Sequence, residues 1–316
     1  MQKTIVITDL TQMPNPNGVC VVGIDQHNRC IRPVLPPPGV LKEHLYIKGK
    51  LTIQPRAKVG FNFHKVPVEP PHIEDLGFNL NSIVYEGLCT DAEWEKVLHD
   101  SSFSTVDDIY DGLLQEHRWV EPGANVRSVG TLSQVDVIAV QLPEWSGKLK
   151  YRLSFRDNTR LLYDIPISDL AFRELSYTEV RRLNRSPVTV SQHLTRLIIS
   201  SDHIYLRIGL ARKFPTSDGN FRCWTQITGI YTFPDYLEGK SFAHFEAMTP
   251  SSRAKAYDVK ELHEKNPKAY AKWTENEDNS LRNEYLRGKT VEELSHDFQR
   301  KPGAIRSRLI RLGLLN

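Results

Sequence analysis

Short alternating stretches dominate the first 140 residues. "KTIVITDL", "GVCVVGID", "RCIRPVLP" and "AKVGFNFHKV" are β-branched or aromatic-rich and bounded by Pro, Gly and Asn, which predicts strands. "DQHN" joins the second and third at hairpin distance, and the proline clusters "PNPNG", "PPPG" and "VEPPH" break the chain between strands. The spacing then turns helical in "DAEWEKVLHD" and "TVDDIYDGLLQEH", each with Asp or Thr near its start. Alternation returns near residue 130 in "QVDVIAVQL", "KLKYRLSF" and "TRLLYDIPI", with "RDNT" as a hairpin turn. "SDLAFRELSYTEVRRLN" reads as a helix capped by Ser168 or Asp169. The hairpin "DHIYLRIGLARKF" and "FRCWTQITGIYTF" closes this second β unit. Two units of about five strands, each with an inserted helix, predict two small Greek-key barrels.

The end of the chain has a different grammar. "TENE" (Thr274 to Glu277) and "TVEE" (Thr290 to Glu293) fit the capping box. Gly288 stands at a C-cap position and Pro302 at a first helical turn. Three helices are expected, over 275–287, 290–298 and 302–312. At ~100° per residue, Ile305, Leu309 and Leu312 fall within about 60° of arc and form a buried stripe. Ser307 and Arg311 lie nearly opposite it, flanked by Arg306 and Arg308. Leu281, Leu286, Val291, Leu294, Phe298 and Trp273 are expected to supply the rest of the core. A third helix with a basic outer face is how a helix-turn-helix enters the major groove. On that reading Ser307 and Arg311 reach base edges, and Lys301, Arg306 and Arg308 reach phosphates. Protein docking and a passive solvated face remain alternatives.

Composition changes this picture little. The 316 residues are 40% hydrophobic and 25% charged, with a net charge of +3, which is ordinary for a soluble protein of several modules. No apolar run approaches the ~20 residues of a membrane span. Cys20, Cys30, Cys89 and Cys223 have no C-x-x-C spacing, so neither a disulfide framework nor a structural zinc is expected. A reducing cytoplasm fits. Charge distribution says more: arginine recurs between Lys148 and Lys213, whereas Glu69 to Glu121 is acidic. That asymmetry suggests an anionic partner.

In the hairpin at 203–233, Tyr205 and Arg207 alternate against Ile204, Leu206, Ile208 and Leu210. Arg222, Trp224 and Gln226 alternate against Cys223, Ile227 and Tyr231. If the apolar faces share one core, Tyr205, Arg207, Arg222, Trp224 and Gln226 form a basic, aromatic surface suited to single-stranded nucleic acid. The alternative puts Trp224 in a second core and pairs the arginines with Asp157, Asp164 or Glu174. Arg29 and Arg32 sit in "NRCIRPV", where Arg32, extended before Pro33, can line a pocket or pair with Asp9 or Asp25. The histidines lack metal-ligand spacing, and no nucleophile elbow, P-loop or dinucleotide fingerprint occurs. Asp9, Asp25 and Asp75 assemble a nuclease-type metal site only if distant strands bring them together. No catalytic residue, metal or cofactor is expected.

Two resemblances extend this reading. "CVVGID…RCIRPV", "LRIGLARKF" and "TGIYTFPDYLEGK" resemble the prokaryotic dual-OB-fold domain family over residues 1–240. That resemblance implies two OB-like barrels, no known catalytic apparatus, a nucleic-acid-binding role and defence-type gene contexts. "KWTENED", "GKTVEELS" and "KPGAIRSRLIRLGL" look like the Myb/SANT-like helix-turn-helix over 271–316. The expected fold is mixed, mainly β: OB-like β domains over 1–130 and 131–240, a connector over 241–270, and the helical module. The expected function is non-enzymatic DNA binding, with duplex on the helical module and single strand or another ligand on the barrels. The alternative is an adaptor or sensor that docks a partner protein and binds a nucleotide-like ligand.

Overall fold

The computed structural model describes residues 1–248, 273–300 and 302–315. The chain divides into two compact units, Met1–Thr249 and Pro250–Asn316.

The first barrel uses β1 (Gln2–Gln12), β2 (Val19–Ile24), β3 (Cys30–Val34), β4 (Ala57–Lys65) and β5 (Asp75–Phe78), with β6 (Val84–Leu88) added outside β4. Its strand order is β1-β2-β3-β5-β4, and β4 pairs back onto β1, closing the ring. β3 and β5 run parallel; the other pairs in the ring are antiparallel. This is a closed, OB-type Greek-key barrel. Ile5, Ile7, Val21, Val59, Phe61 and Phe78 fill it.

A second barrel repeats the order. α1 (Asp91–Asp100) leads into it; Thr90 caps α1, and Glu93 completes the capping box. Its first strand is interrupted, as β7 (Val129–Leu132) and β8 (Asp136–Gln141). β9 (Arg152–Arg156) and β10 (Leu162–Pro166) follow as a meander. α2 (Leu170–Tyr177), capped by Asp169, continues as a π turn to Arg182, and α3 (Pro187–Ile199) follows. β11 (His203–Leu210) and β12 (Phe221–Phe233) complete the barrel, and α4 (Phe242–Ala247) ends the unit. β7 pairs with β11, β8 with β9, and Ile167 bridges Ile227 in parallel, so the third and fifth strands meet as in the first barrel.

Several expectations shift. α3 is absent from the sequence-derived elements, although Ser186 caps it and Pro187 occupies its first turn. It covers the free side of β8: Thr195 Oγ1 accepts from the Val140 N–H at 2.9 Å, and Ser191 Oγ donates to the Val140 carbonyl at 2.6 Å. The helix expected in "TVDDIYDGLLQEH" is a single turn, Val106–Ile109, ended by left-handed Asp111 and Gly112. Val106, Ile109, Tyr110, Val120 and Val126 belong to the second core, so the boundary expected at 130 does not separate the cores.

The C-terminal unit holds α5 (Glu275–Leu286), α6 (Val291–Asp297) and α7 (Pro302–Arg311). Both capping boxes form: Thr274 and Thr290 accept from the N–H groups of Glu277 and Glu293, whose carboxylates accept in return. Leu281, Leu294, Ile305 and Leu309 make the core, edged by Trp273, Tyr285 and Phe298. Leu286, expected inside, is 69% exposed.

Candidate nucleic-acid interface

The outward face of β1 to β3 in the first barrel meets the second barrel rather than solvent. β1 carries Ile5 and Ile7 inward, and by strict alternation Asp9 would follow them. A bulge between Ile7 and Asp9 turns the carboxylate out of the core. A second bulge, at Thr228 opposite Arg207 and Ile208, turns Tyr231 out of the other core. The two bulges meet. The Thr8 hydroxyl donates to Asp9 at 2.6 Å, the Thr228 hydroxyl donates to Asp9, and the Tyr231 hydroxyl donates to the Thr8 carbonyl. Arg207, fully buried, sets Nε 3.0 Å from Asp9 Oδ2 and donates from Nη1 to Thr131 Oγ1 at 2.9 Å. Burial alone would push the guanidinium down, but Asp9 outweighs it and holds Arg207 charged.

The seam continues toward the far end. Arg32 donates to Asp75 at 2.9 Å and to Ser128 at 2.6 Å, and Glu74 accepts from the Ser128 N–H at 2.6 Å. Arg212 reaches Asp75 at 2.6 Å, and Lys213 pairs with Glu69. His72 Nε2 lies 3.2 Å from the Leu210 carbonyl. Burial, reinforced by Arg32 and Arg212, pushes its imidazole down to about 4.

This geometry divides the surface expected on the second barrel. Tyr205, Arg207, Arg222, Trp224 and Gln226 do share one sheet face. Its Tyr205 and Arg207 end is sealed: Tyr205 packs with Trp94 and Leu98 of α1, and Arg207 is in the seam. Neither is available to an oligonucleotide in solution. Tyr231, expected in the apolar set, lies on this sealed face because of the bulge. Arg222, Trp224 and Gln226 remain half-buried at the open end. The Arg222 guanidinium lies 4.6 Å from the Trp119 ring centroid and 5.7 Å from that of Trp224, and it pairs with Asp218 at 2.8 Å. Trp119 stands opposite Trp224 in register. Phe214 and Phe221, on the adjoining hairpin, are 64% and 50% exposed.

A family model described as a dual OB-containing domain matches residues 3–230. The chain belongs to the dual OB-containing domain family. OB barrels bind oligonucleotides on the face of their second and third strands and on the flanking loops. In this dual OB domain the first barrel spends that face on the seam. The second keeps it open, on β9 and β10. There Arg152 pairs with Asp164 at 2.9 Å and Arg156 with Asp136 at 3.6 Å. Lys148, Lys150 and Arg160 are exposed, and among the described residues no ion pair engages them. Trp145, at 75%, is the most exposed aromatic of the barrels. Sequence reading flagged arginine density here but missed Trp145, because alternation in a two-residue hairpin strand does not say which face is covered. No curated protein matches the chain.

The helical unit lies beyond the family match. Arg306, Ser307 and Arg311 are exposed on α7, with Ile310 half-exposed among them, and among the described residues no ion pair engages either arginine. Arg308 differs. It binds Asp278 through two nitrogens, Nε at 2.6 Å, and this pairing holds the Asp278 carboxyl below its ordinary value. Arg300 is buried over the Trp273 ring at 4.2 Å and pairs with Glu277 at 3.2 Å. Lys301 lies outside the described residues.

The aspartates considered for a metal do not converge. Asp9 faces Arg207, Asp25 faces Arg29 at 2.9 Å, and Asp75 faces Arg32. Among the described residues no group of three or more His, Cys, Asp or Glu is placed to hold a metal ion, and no helix is long and apolar enough to cross a membrane. The four cysteines are free.

Proposed function

We propose that this is a non-enzymatic, cytoplasmic DNA-binding protein. Its three C-terminal helices act as a Myb/SANT-like helix-turn-helix on duplex DNA. The open face of its second barrel holds single strand, and its first barrel serves as scaffold. The observation that carries the reading is the division of labour among arginines on and beside α7. Arg300 and Arg308 are neutralised by Glu277 and Asp278, whereas Arg306 and Arg311 face solvent beside Ser307 with no carboxylate engaged among the described residues. A cationic arc of that kind suits a phosphate backbone.

The test is fluorescence anisotropy with labelled duplex over a range of salt. Arg306→Ala with Arg311→Ala should weaken binding, and the lost Arg306 phosphate contact should lower the slope of log affinity against log salt by ~0.9. Arg308→Ala is unsuitable, because it also breaks the Asp278 pair. Binding unchanged in the double variant would remove α7 from the interface and favour docking of a partner protein by the helical unit.

A further inference from the structure

A cavity of about 300 Å³ lies at one end of the seam, between β1, α1, the start of α2 and the chain after β12. Trp94, Tyr231, Phe233 and Phe242 line it. Trp94 and Tyr231 meet edge to face with centroids 4.9 Å apart, so part of the wall is rigid and aromatic. Small-molecule sites favour such enclosed spaces at domain junctions.

The charges decide what could enter. Two cations reach the rim, and both are engaged: Arg56 with Asp91 and Lys240 with Glu238. Three carboxylates also line the cavity; Asp91 holds Arg56, and neither Asp169 nor Asp235 meets a cationic side chain among the described residues. Asp235 accepts from the N–H groups of Leu237 and Gly239 at 3.0 and 2.8 Å. Asp169, buried, accepts from those of Ala171, Phe172 and Ile230 at 2.9, 3.3 and 3.1 Å. Asp9, Asp25 and Asp75 each have an arginine; Asp169 has none among the described residues. Among the described residues, each cation at the rim already has a carboxylate partner, so a phosphate-bearing ligand would have to compete with Asp91 and Glu238. A positively charged nitrogen would find aromatic walls and an unmatched buried carboxyl.

We infer that this cavity binds a small organic cation, an amine whose hydrophobic body packs against the Trp94–Tyr231 wall and whose nitrogen meets Asp169. Burial, with Asp9 adding to it, pushes the Asp169 carboxyl up to about 7. Tyr231 and Tyr236, the other titratable groups against it, are held neutral by burial. A bound cation favours the ionised carboxylate, so affinity falls as pH drops below that value.

Isothermal titration of the full chain with tryptamine, and with its neutral alcohol counterpart tryptophol, tests this. One tryptamine should bind per chain, about tenfold or more tighter than tryptophol, and about tenfold weaker at pH ~6 than at pH ~8. Asp169→Asn keeps a good N-cap and should lose both the cation preference and the pH dependence. Leu88→Trp, at an exposed rim position, should block both ligands without touching Asp169. Equal affinity for amine and alcohol, retention of both effects in Asp169→Asn, or no binding of tryptamine at millimolar concentration would overturn the assignment.

Discussion

One residue type meets several fates in this chain, and burial with pairing decides among them. Arg207 and Arg32 are locked in the seam, Arg308 holds a helix pair, and Arg306 and Arg311 face water. No local sequence feature separates them: "LRIGL" and "AIRSRLIRLG" both place arginine opposite an apolar face. Two buried titrating groups have opposite effects on stability. Asp169 holds its proton up to about 7 when folded, because burial disfavours the carboxylate, and releases it near ~3.9 when unfolded. The folded state therefore carries the extra proton between those values, and this contribution falls as pH rises. His72 is pushed down to about 4 from ~6.5, so the unfolded state carries the extra proton and its contribution rises over that window. The two oppose each other between pH ~4 and ~6.5. Urea midpoints across that range should rise with pH more steeply in Asp169→Asn than in the parent, and less steeply in His72→Gln. Profiles parallel to the parent in both variants would contradict the assignment.

At the scale of elements, local rules and tertiary context divide the work. The helices of the C-terminal unit start where Thr274 and Thr290 place them, since a capping box needs only residues three apart. Thr290→Ala should cost about 1 kcal/mol in that unit. Amide hydrogen exchange should show it as faster exchange in α5 to α7, with α1 to α4 unchanged; protection unaltered in α5 to α7 would reject it. The β elements are less local. Alternation located β1 and β12, but the bulges at Thr8 and Thr228 reverse its parity halfway along each strand. Asp9 and Tyr231 thereby move to faces the period-2 rule denies them. α3 carried legible start signals in Ser186 and Pro187, yet its role in covering β8 depends on a strand far away in sequence.

At the scale of the molecule, the seam makes two barrels one unit. Arg207→Ala leaves Asp9 charged, buried and unpaired, which should cost roughly 3–5 kcal/mol; replacing both with apolar residues should recover most of it. Chemical denaturation followed by tyrosine and tryptophan emission would show this as a shift of one transition. A small loss in the single variant, or separate transitions for the two barrels in the parent, would argue against a unifying seam. Composition, strand alternation, turn residues and helix caps determined by themselves that this chain forms two β units and a capped helical end, because those signals act over a few residues. They also marked the basic, leucine-seated α7. Tertiary structure alone decided which faces remain open. Whether a strand face meets water or another barrel depends on what covers it, and the covering residues of the seam lie up to 223 positions away, as Tyr231 does from Thr8.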